Sequence, residues 1–199
     1  MFNISKTLVL ATMAVTLSVA GSVSNASPGK SKGHGGWESS ADHDESVVVS
    51  IKTDPTVDPE PACVAVQIGI NLLMDMSTDL EGNAYPVVPA DEVSLFITTG
   101  GAEIIDPRNY EEGAELDGDL CFTSGDGGLV KVSLTALLNR FESLDGEIVI
   151  CPLCAFSRGI GTEEMVEAGM AEVEPTRGFI GGGVDIHNLF IDADKVIDF

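Results

Sequence analysis

The sequence predicts an α/β domain of three layers, in which helices cover both faces of a mostly parallel sheet. Strand-like and helical segments alternate along residues 46–199, and this alternation is typical of parallel strands joined by helices. The inner strand segments are apolar along most of their length, which indicates burial on both faces. The predicted order of elements is β-α-β-α-β-α-α-β.

The first half of the domain is predicted to run strand, helix, loop, strand. Residues 46–52 are rich in valine and isoleucine, which pack well in a buried strand. Asp58-Pro59 is a helix-start signal, and the segment 62–74 then places its apolar side chains on one helical face. Glycine and two prolines make residues 79–90 a loop, and residues 92–98 form the second strand.

The second half opens with a segment that lacks clear periodicity. Residues 106–128 are acidic and glycine-rich, so we expect an insertion or a lid-like loop rather than core. Residues 134–141 keep the spacing of an amphipathic helix, and residues 147–150 form the third strand. The remaining elements are a helix from Thr162 to about Met170, a short helix that Asp185 caps and that ends at Phe190, and a final strand at residues 195–199.

The first 26 residues have the pattern of a secretory signal peptide. Lys6 precedes an apolar run over residues 7–23, and Ser24-Asn25-Ala26 supplies the small residues of a cleavage site. We expect a periplasmic protein that begins at Ser27 and has no membrane segment after cleavage; the alternative is an uncleaved membrane anchor. Residues 27–45 are poor in apolar residues and are predicted to be a disordered tail.

The charge of the chain excludes two classes of partner. The sequence has 10 basic and 32 acidic residues, a formal net charge of −22. Nucleic acid and anionic membrane surfaces attract proteins of the opposite sign, so neither is expected as a partner. Strongly acidic surfaces are also common in proteins that face saline surroundings, and the mutual repulsion favours solubility.

Four cysteines allow three disulfide pairings, and the sequence does not choose among them. One natural division joins Cys63 to Cys121, which would tie the insertion to the core, and Cys151 to Cys154. A zinc site would need a second Cys-x-x-Cys pair or nearby histidines, and the sequence has neither in a suitable place. We therefore expect no metal and no cofactor.

The strongest chemical signal is the segment in which the third strand runs into Cys151-Pro152-Leu153-Cys154. Open α/β sheets place their chemistry at the carboxyl ends of strands. If a helix follows, its first amides favour a thiolate, so Cys151 is the expected nucleophile and Cys154 the thiol that resolves its product. Arg158 is expected either to stabilise a thiolate or sulfur oxyanion, or to form a surface salt bridge.

These segments together resemble the DsrE/DsrF-like family, in its small exported branch with a Cys-Pro-x-Cys motif. The residues that carry the resemblance are Val47–Ile51, Val93–Thr98 with Gly100, Val149–Cys154, Arg158-Gly159-Ile160, Glu167–Gly169 and Ala193–Ile197. The resemblance implies a flavodoxin-like layered fold, a homo-oligomer, and a persulfide carried on the cysteine at position 151. Export, the second thiol at Cys154 and the acidic insertion depart from the cytoplasmic members of the family.

Three functions remain open at this point. The first is a sulfur-handling protein that carries or transfers sulfane sulfur, with a sulfur-containing small molecule or a partner protein thiol as its reaction partner. The second is a thiol–disulfide oxidoreductase that cycles Cys151 and Cys154, although Ile150 replaces the aromatic residue usual before such a motif. The third is a non-catalytic oligomeric module with structural disulfides. The sequence does not decide whether the protein is an enzyme.

Overall fold

The structure is a computed structural model that describes residues 45–78, 83–125 and 128–199. The predicted signal peptide and the tail residues 27–44 lie outside the described residues. Within the described ranges, no helix is long and apolar enough to cross a bilayer.

Strands and short helices alternate along the described chain. The elements are β1 (Ser46–Ile51), α1 (Glu60–Leu73), β2 (Met76–Thr78), β3 (Ala84–Pro86), β4 (Glu92–Ile97), two 3-10 helices (Thr99–Ile105 and Pro107–Tyr110), β5 (Cys121–Gly125), β6 (Gly128–Val132), α2 (Leu134–Ser143), β7 (Glu147–Ile150), α3 (Pro152–Phe156), α4 (Glu163–Glu167), β8 (Phe179–Ile180), α5 (Gly183–Ile191) and β9 (Lys195–Asp198).

Five of these strands form the central sheet, and every pair in it is parallel. Their spatial order is β8-β7-β4-β1-β9. Successive strands are therefore neighbours, except that the last strand returns to lie beside the first. In the flavodoxin order the second strand has that outer place instead. The pairing aligns Ile51 with Ile97, and Ile97 with Ile150, so three strands end level at one edge of the sheet.

Helices cover both faces of this sheet, which confirms the predicted three-layer α/β fold. The first face carries side chains such as Val49 and Leu95, which are fully buried against α1 and α2. On the second face Val48, Phe96 and Val149 pack against half-buried residues of α5 and the segment after it. Runs of β-branched residues predicted these strands. Because such strands are apolar on both faces, they also predicted a helical layer on each side of the sheet.

Tertiary structure adds two small hairpins that the sequence did not predict. β2 pairs antiparallel with β3, which lies inside the predicted loop 79–90. β5 pairs antiparallel with β6, and β5 lies inside the segment 106–128 that was expected to be a loop rather than core. This segment also contributes Leu116 and Cys121, both about 1% exposed, to the main core. The expectation was wrong because the buried residues of this segment are few and widely spaced, so the sequence shows no periodic pattern there.

Two helix boundaries also differ from the sequence-based prediction. The helix after Thr162 ends at Glu167 rather than near Met170. The last helix begins at Gly183, so Asp185 is its third residue and not its cap. The Asp185 carboxylate accepts a hydrogen bond from the Gly182 amide at 2.6 Å, which is the usual role of an acid in the first turn.

Candidate functional site

The level strand ends at the carboxyl edge of the sheet bring two short segments together. The Thr98 amide donates to the Ile51 carbonyl at 3.0 Å, and the Cys151 amide donates to the Ile97 carbonyl at 2.9 Å. Each bond continues the parallel ladder by one residue beyond the strands. The residues that follow β4 and β7 are therefore neighbours, although they are more than 50 positions apart in the chain.

Cys151 and Cys154 form a pair of free thiols at this edge. Cys151 directly follows β7, as the sequence predicted, and Cys154 lies in the single turn of α3. Their sulfur atoms lie 3.0 Å apart, and both residues are half-buried. A distance of this size allows one proton to be shared between the two sulfurs, and the pair is one oxidation away from a disulfide.

The hydrogen bonds that come from the neighbouring strand end are directed mainly at Cys154. The Thr99 amide donates to the Cys154 sulfur at 3.1 Å, and the Thr98 hydroxyl lies 3.4 Å from the same atom. Both residues come from the segment after β4, and sequence reasoning did not identify either of them. A parallel sheet places the ends of adjacent strands together, so the position of Thr98 directly after the second strand was the available signal.

These contacts separate the acidities of the two thiols. Burial by itself raises the pKa of Cys154, but hydrogen bonds from Thr98, Cys151 and the Thr99 amide, with the charge of Arg158, lower it below the ordinary value. Burial raises the pKa of Cys151, and the hydrogen bond with the Cys154 side chain raises it further; together they outweigh the Cys154 amide and the Thr98 hydroxyl, which lower it. Of the two thiols, Cys154 is therefore the one whose surroundings favour the charged form.

Thr99 holds an uncommon backbone conformation at this point. Its φ angle is +45°, which a β-branched residue rarely adopts. Its hydroxyl donates to the Lys52 carbonyl at 2.8 Å and anchors the turn. Backbone strain of this kind persists only where surrounding contacts enforce it, and here it accompanies an amide directed at a sulfur atom.

Arg158 lies beside the thiol pair and is fully engaged in contacts. Its Nε donates to Glu103 Oε1 at 2.6 Å, and its Nη1 donates to the Cys154 carbonyl at 3.0 Å. Arg158 forms a half-buried salt bridge with Glu103, and its positive charge also contributes to lowering the pKa of Cys154. The structure thus has features of both roles expected for this residue. The same salt bridge ties the first 3-10 helix to α3.

A second ionic cluster supports the backbone next to Arg158. The Arg108 guanidinium binds the buried Asp106 carboxylate and also donates to Glu172 at 2.6 Å. Its Nη2 donates to the Arg158 carbonyl at 2.8 Å. Arg158, in the segment after α3, is thus held from two sides: Glu103 binds its guanidinium, and the Arg108 guanidinium binds its backbone carbonyl.

The other two cysteines form a disulfide, which is one half of the division that the sequence offered; the other half differs, because Cys151 and Cys154 are not bonded to each other. Cys63 in the first turn of α1 is bonded to Cys121 at the start of β5. The bond borders a cavity of about 590 Å³ between α1 and β5, lined by residues such as Val64, Leu120 and Phe122. The two free cysteines are not among the described residues that line this cavity. The thiol pair instead lies at an open part of the surface, where Leu153 is 78% exposed.

The described residues contain no cluster of three or more histidine, cysteine or acidic side chains placed to hold a metal ion. The groups at this edge that carry chemistry are the two thiols, the donors from Thr98 and Thr99, and the Arg158 cation.

Comparison with known proteins gives a structural likeness. No family model matches the chain, and no curated protein matches it. Among solved structures, the chain is similar to the YchN protein of E. coli, with 16% sequence identity and a TM-score of 0.42. The match covers 78% of this chain and 98% of that one. The fold stated above rests on the topology of this chain itself.

Proposed function

We propose that this is an exported sulfur-handling protein in which the Cys151–Cys154 pair carries or transfers sulfane sulfur. The observation that supports the proposal is a pair of free thiols 3.0 Å apart at the carboxyl edge of a parallel sheet, with an amide and a hydroxyl directed at one sulfur. Sulfur transfer needs a thiolate nucleophile that a sulfur donor can reach, and the lowered pKa of Cys154 and the open surface around the pair support the proposal.

The surroundings of the pair suit a partner that approaches from solvent. Leu153 between the two thiols is exposed, and Phe156 on the same short helix is 40% exposed. A persulfide-bearing small molecule or the thiol of a partner protein therefore has open access to the site. The net charge of −22 disfavours nucleic acid and anionic membranes as partners.

Export is supported by the Cys63–Cys121 disulfide, because structural disulfides persist in oxidising compartments such as the periplasm. In such a compartment the sulfur-handling pair must be kept reduced by a thiol partner. The two cysteine pairs would then have separate roles, one structural and one chemical.

Exposure of the reduced protein to inorganic polysulfide, followed by intact-mass measurement, tests the proposal. Wild-type protein should gain the mass of sulfur atoms, and the double variant Cys151→Ser/Cys154→Ser should gain none. Uptake by the double variant equal to that of the wild type would show that the pair carries no sulfur.

A thiol–disulfide oxidoreductase is the second candidate, and the short distance between the two sulfurs favours it. Redox titration of the pair separates the two functions. A reduction potential in the range of known oxidoreductases supports this candidate, whereas a very low potential indicates a bridge that stays closed.

A further inference from the structure

We propose that Cys154, and not Cys151, is the nucleophile of the pair, and that the Thr98–Thr99 turn is the element that positions it. This inference deepens the proposed function and rests on it. The Thr99 amide, the Thr98 hydroxyl and the Cys151 thiol all lie within 3.4 Å of the Cys154 sulfur atom.

The two thiols differ in the donors that reach them. A thiolate is stabilised by hydrogen bonds and by positive charge, so the sulfur that receives more donors ionises first. Cys154 receives the Thr99 amide at 3.1 Å and the Thr98 hydroxyl at 3.4 Å. Cys151 also receives an amide, that of Cys154, and the Thr98 hydroxyl, but these do not offset its burial and its contact with the Cys154 side chain. Arg158 adds a positive charge nearby, although Glu103 of the 3-10 helix pairs with it and partly offsets that charge.

The helix that follows the strand has a smaller role than the sequence suggested. α3 is only five residues long, so its dipole is small, and Cys151 stands before its first residue. The stabilising amide comes instead from Thr99 on the neighbouring strand end. The Thr99 hydroxyl donates to the Lys52 carbonyl and anchors this turn, in which the Thr99 φ is +45° and its N–H lies 3.1 Å from the Cys154 sulfur.

With Cys154 as the nucleophile and Cys151 as the resolving thiol, the reaction has two steps. The Cys154 thiolate attacks the outer sulfur of a persulfide R–S–SH; a Cys154–S–SH persulfide forms and the thiolate R–S⁻ leaves. The Cys151 thiol then attacks the inner sulfur of that persulfide; a Cys151–Cys154 disulfide forms, and the sulfane sulfur leaves as H₂S with the Cys151 proton. The two thiols are oxidised and the sulfane sulfur is reduced. An acceptor thiol that arrives before the second step takes the sulfur instead.

Single variants decide which thiol is attacked first. With inorganic polysulfide as the probe, Cys151→Ser should retain the sulfur adduct for longer than wild type, because the resolving thiol is gone. Cys154→Ser should lose the adduct or form it at least about tenfold more slowly. The reverse pattern would overturn this inference and leave the proposed function standing. No uptake by wild type and none by either single variant would overturn the proposed function.

The pH profile of alkylation tests the inference without any sulfur donor. Iodoacetamide labelling of Cys154, followed by peptide mass, should have a midpoint below that of an ordinary thiol. Thr98→Val removes one donor and should raise this midpoint by about one pH unit, and Thr98→Ser should restore it. An unchanged midpoint in a folded Thr98→Val protein would remove Thr98 from the positioning role. Should Thr98→Val fail to fold, the single variants still test the inference: the alkylation midpoint of Cys154 in Cys151→Ser should be lower than that of Cys151 in Cys154→Ser, and the opposite order would contradict it.

Discussion

Gly101 lies where the first 3-10 helix passes closest to the end of β1. A Cβ atom at this position would lie 2.2 Å from the Ile51 carbonyl oxygen, a distance that the backbone does not tolerate. Glycine is required here because the turn that carries Thr98 and Thr99 must fold tightly onto the strand end. The thiol site thus depends on a residue that touches neither sulfur.

We predict that Gly101→Ala lowers the free energy of unfolding by about 2 kcal/mol, because the backbone must move to accept one methyl group. Urea unfolding measures the change. Gly183→Ala is the matched control: a Cβ atom at that position would have no neighbour within 4 Å, so this variant should change stability by less than about 0.5 kcal/mol. Equal losses in the two variants would show that the close approach at Gly101 is not the cause.

Asp106 is a buried carboxylate that Arg108 neutralises. Burial by itself raises the pKa of Asp106, but the hydrogen bonds and charge of Arg108, with the charge of Arg158, lower it below its ordinary value of 3.8. The folded-state pKa is therefore lower than that of the unfolded chain. The carboxylate contributes stability that is fully present above the unfolded pKa and is lost as the pH falls through the folded one.

We predict that Asp106→Asn lowers the free energy of unfolding by about 2 kcal/mol at neutral pH, since a charged hydrogen-bond acceptor is lost. The variant should also show a shallower loss of stability with acid than the wild type. Urea unfolding at a series of pH values measures both effects. Asp119→Asn removes the same charge from an exposed site and should leave the acid profile as it is. A wild-type acid profile in Asp106→Asn would contradict the assignment.

Among the elements of the fold, α1 and the β5–β6 hairpin are joined by the Cys63–Cys121 disulfide across 58 positions of sequence. Without the bond, the unfolded chain gains the entropy of a long open loop. The hairpin lies outside the central sheet, so the bond is a covalent link between it and the core.

We predict that Cys63→Ala/Cys121→Ala lowers the free energy of unfolding by about 4 kcal/mol, as the chain-entropy relation gives for a loop of this length. Urea unfolding of the oxidised proteins measures the loss. The double variant Cys151→Ser/Cys154→Ser removes two thiols that are not bonded and should lose less than about 1 kcal/mol. A comparable loss in that control would argue against a special structural role for the disulfide.

The two helical layers of the fold are unequal. α1 and α2 cover the first face with many buried side chains, whereas none of the residues of α5, all of which are described, is fully buried. α5 instead leaves Val184 at 71% and Ile191 at 69% exposure. An apolar helix face of this kind is typical of a surface that another protein chain covers.

For the molecule in its entirety, we propose that the chain forms a homo-oligomer through this α5 face. Light scattering at moderate salt should give a mass at least twice that of the monomer. Ile191→Glu should shift the protein toward monomer, while Val57→Glu, a change at an exposed apolar residue elsewhere, should leave the mass unchanged. Repulsion at a net charge of −22 should weaken the assembly at very low salt. A clean monomer at every salt concentration would contradict the proposal.

The proposal of export makes a separate prediction about the mature chain. Cleavage after Ala26 should give a periplasmic protein that begins at or near Ser27, because Ser24-Asn25-Ala26 satisfies the small-residue rule. N-terminal sequencing of protein from a periplasmic extract measures this. Recovery of an intact Met1 end in the membrane fraction would contradict it.

Local sequence patterns were sufficient to predict the layered fold and the place of the thiols. The strands predicted at residues 46–52, 92–98 and 147–150 differ from β1, β4 and β7 by at most one residue. Runs of β-branched residues are local signals, and strands buried on both faces need them along their whole length. The position of Cys151 directly after such a run placed it at the carboxyl edge for the same reason.

Long-range contacts, in contrast, decide which hydrogen-bond donors reach the thiol pair and which cysteines are bonded. Thr99 lies 55 positions before Cys154, and Cys63 lies 58 positions before Cys121. Contacts at such separations depend on strand order, on the register of Ile97 with Ile150, and on a turn with positive φ at Thr99. Local patterns carry none of these quantities, because they arise only when the sheet brings distant strand ends to the same edge.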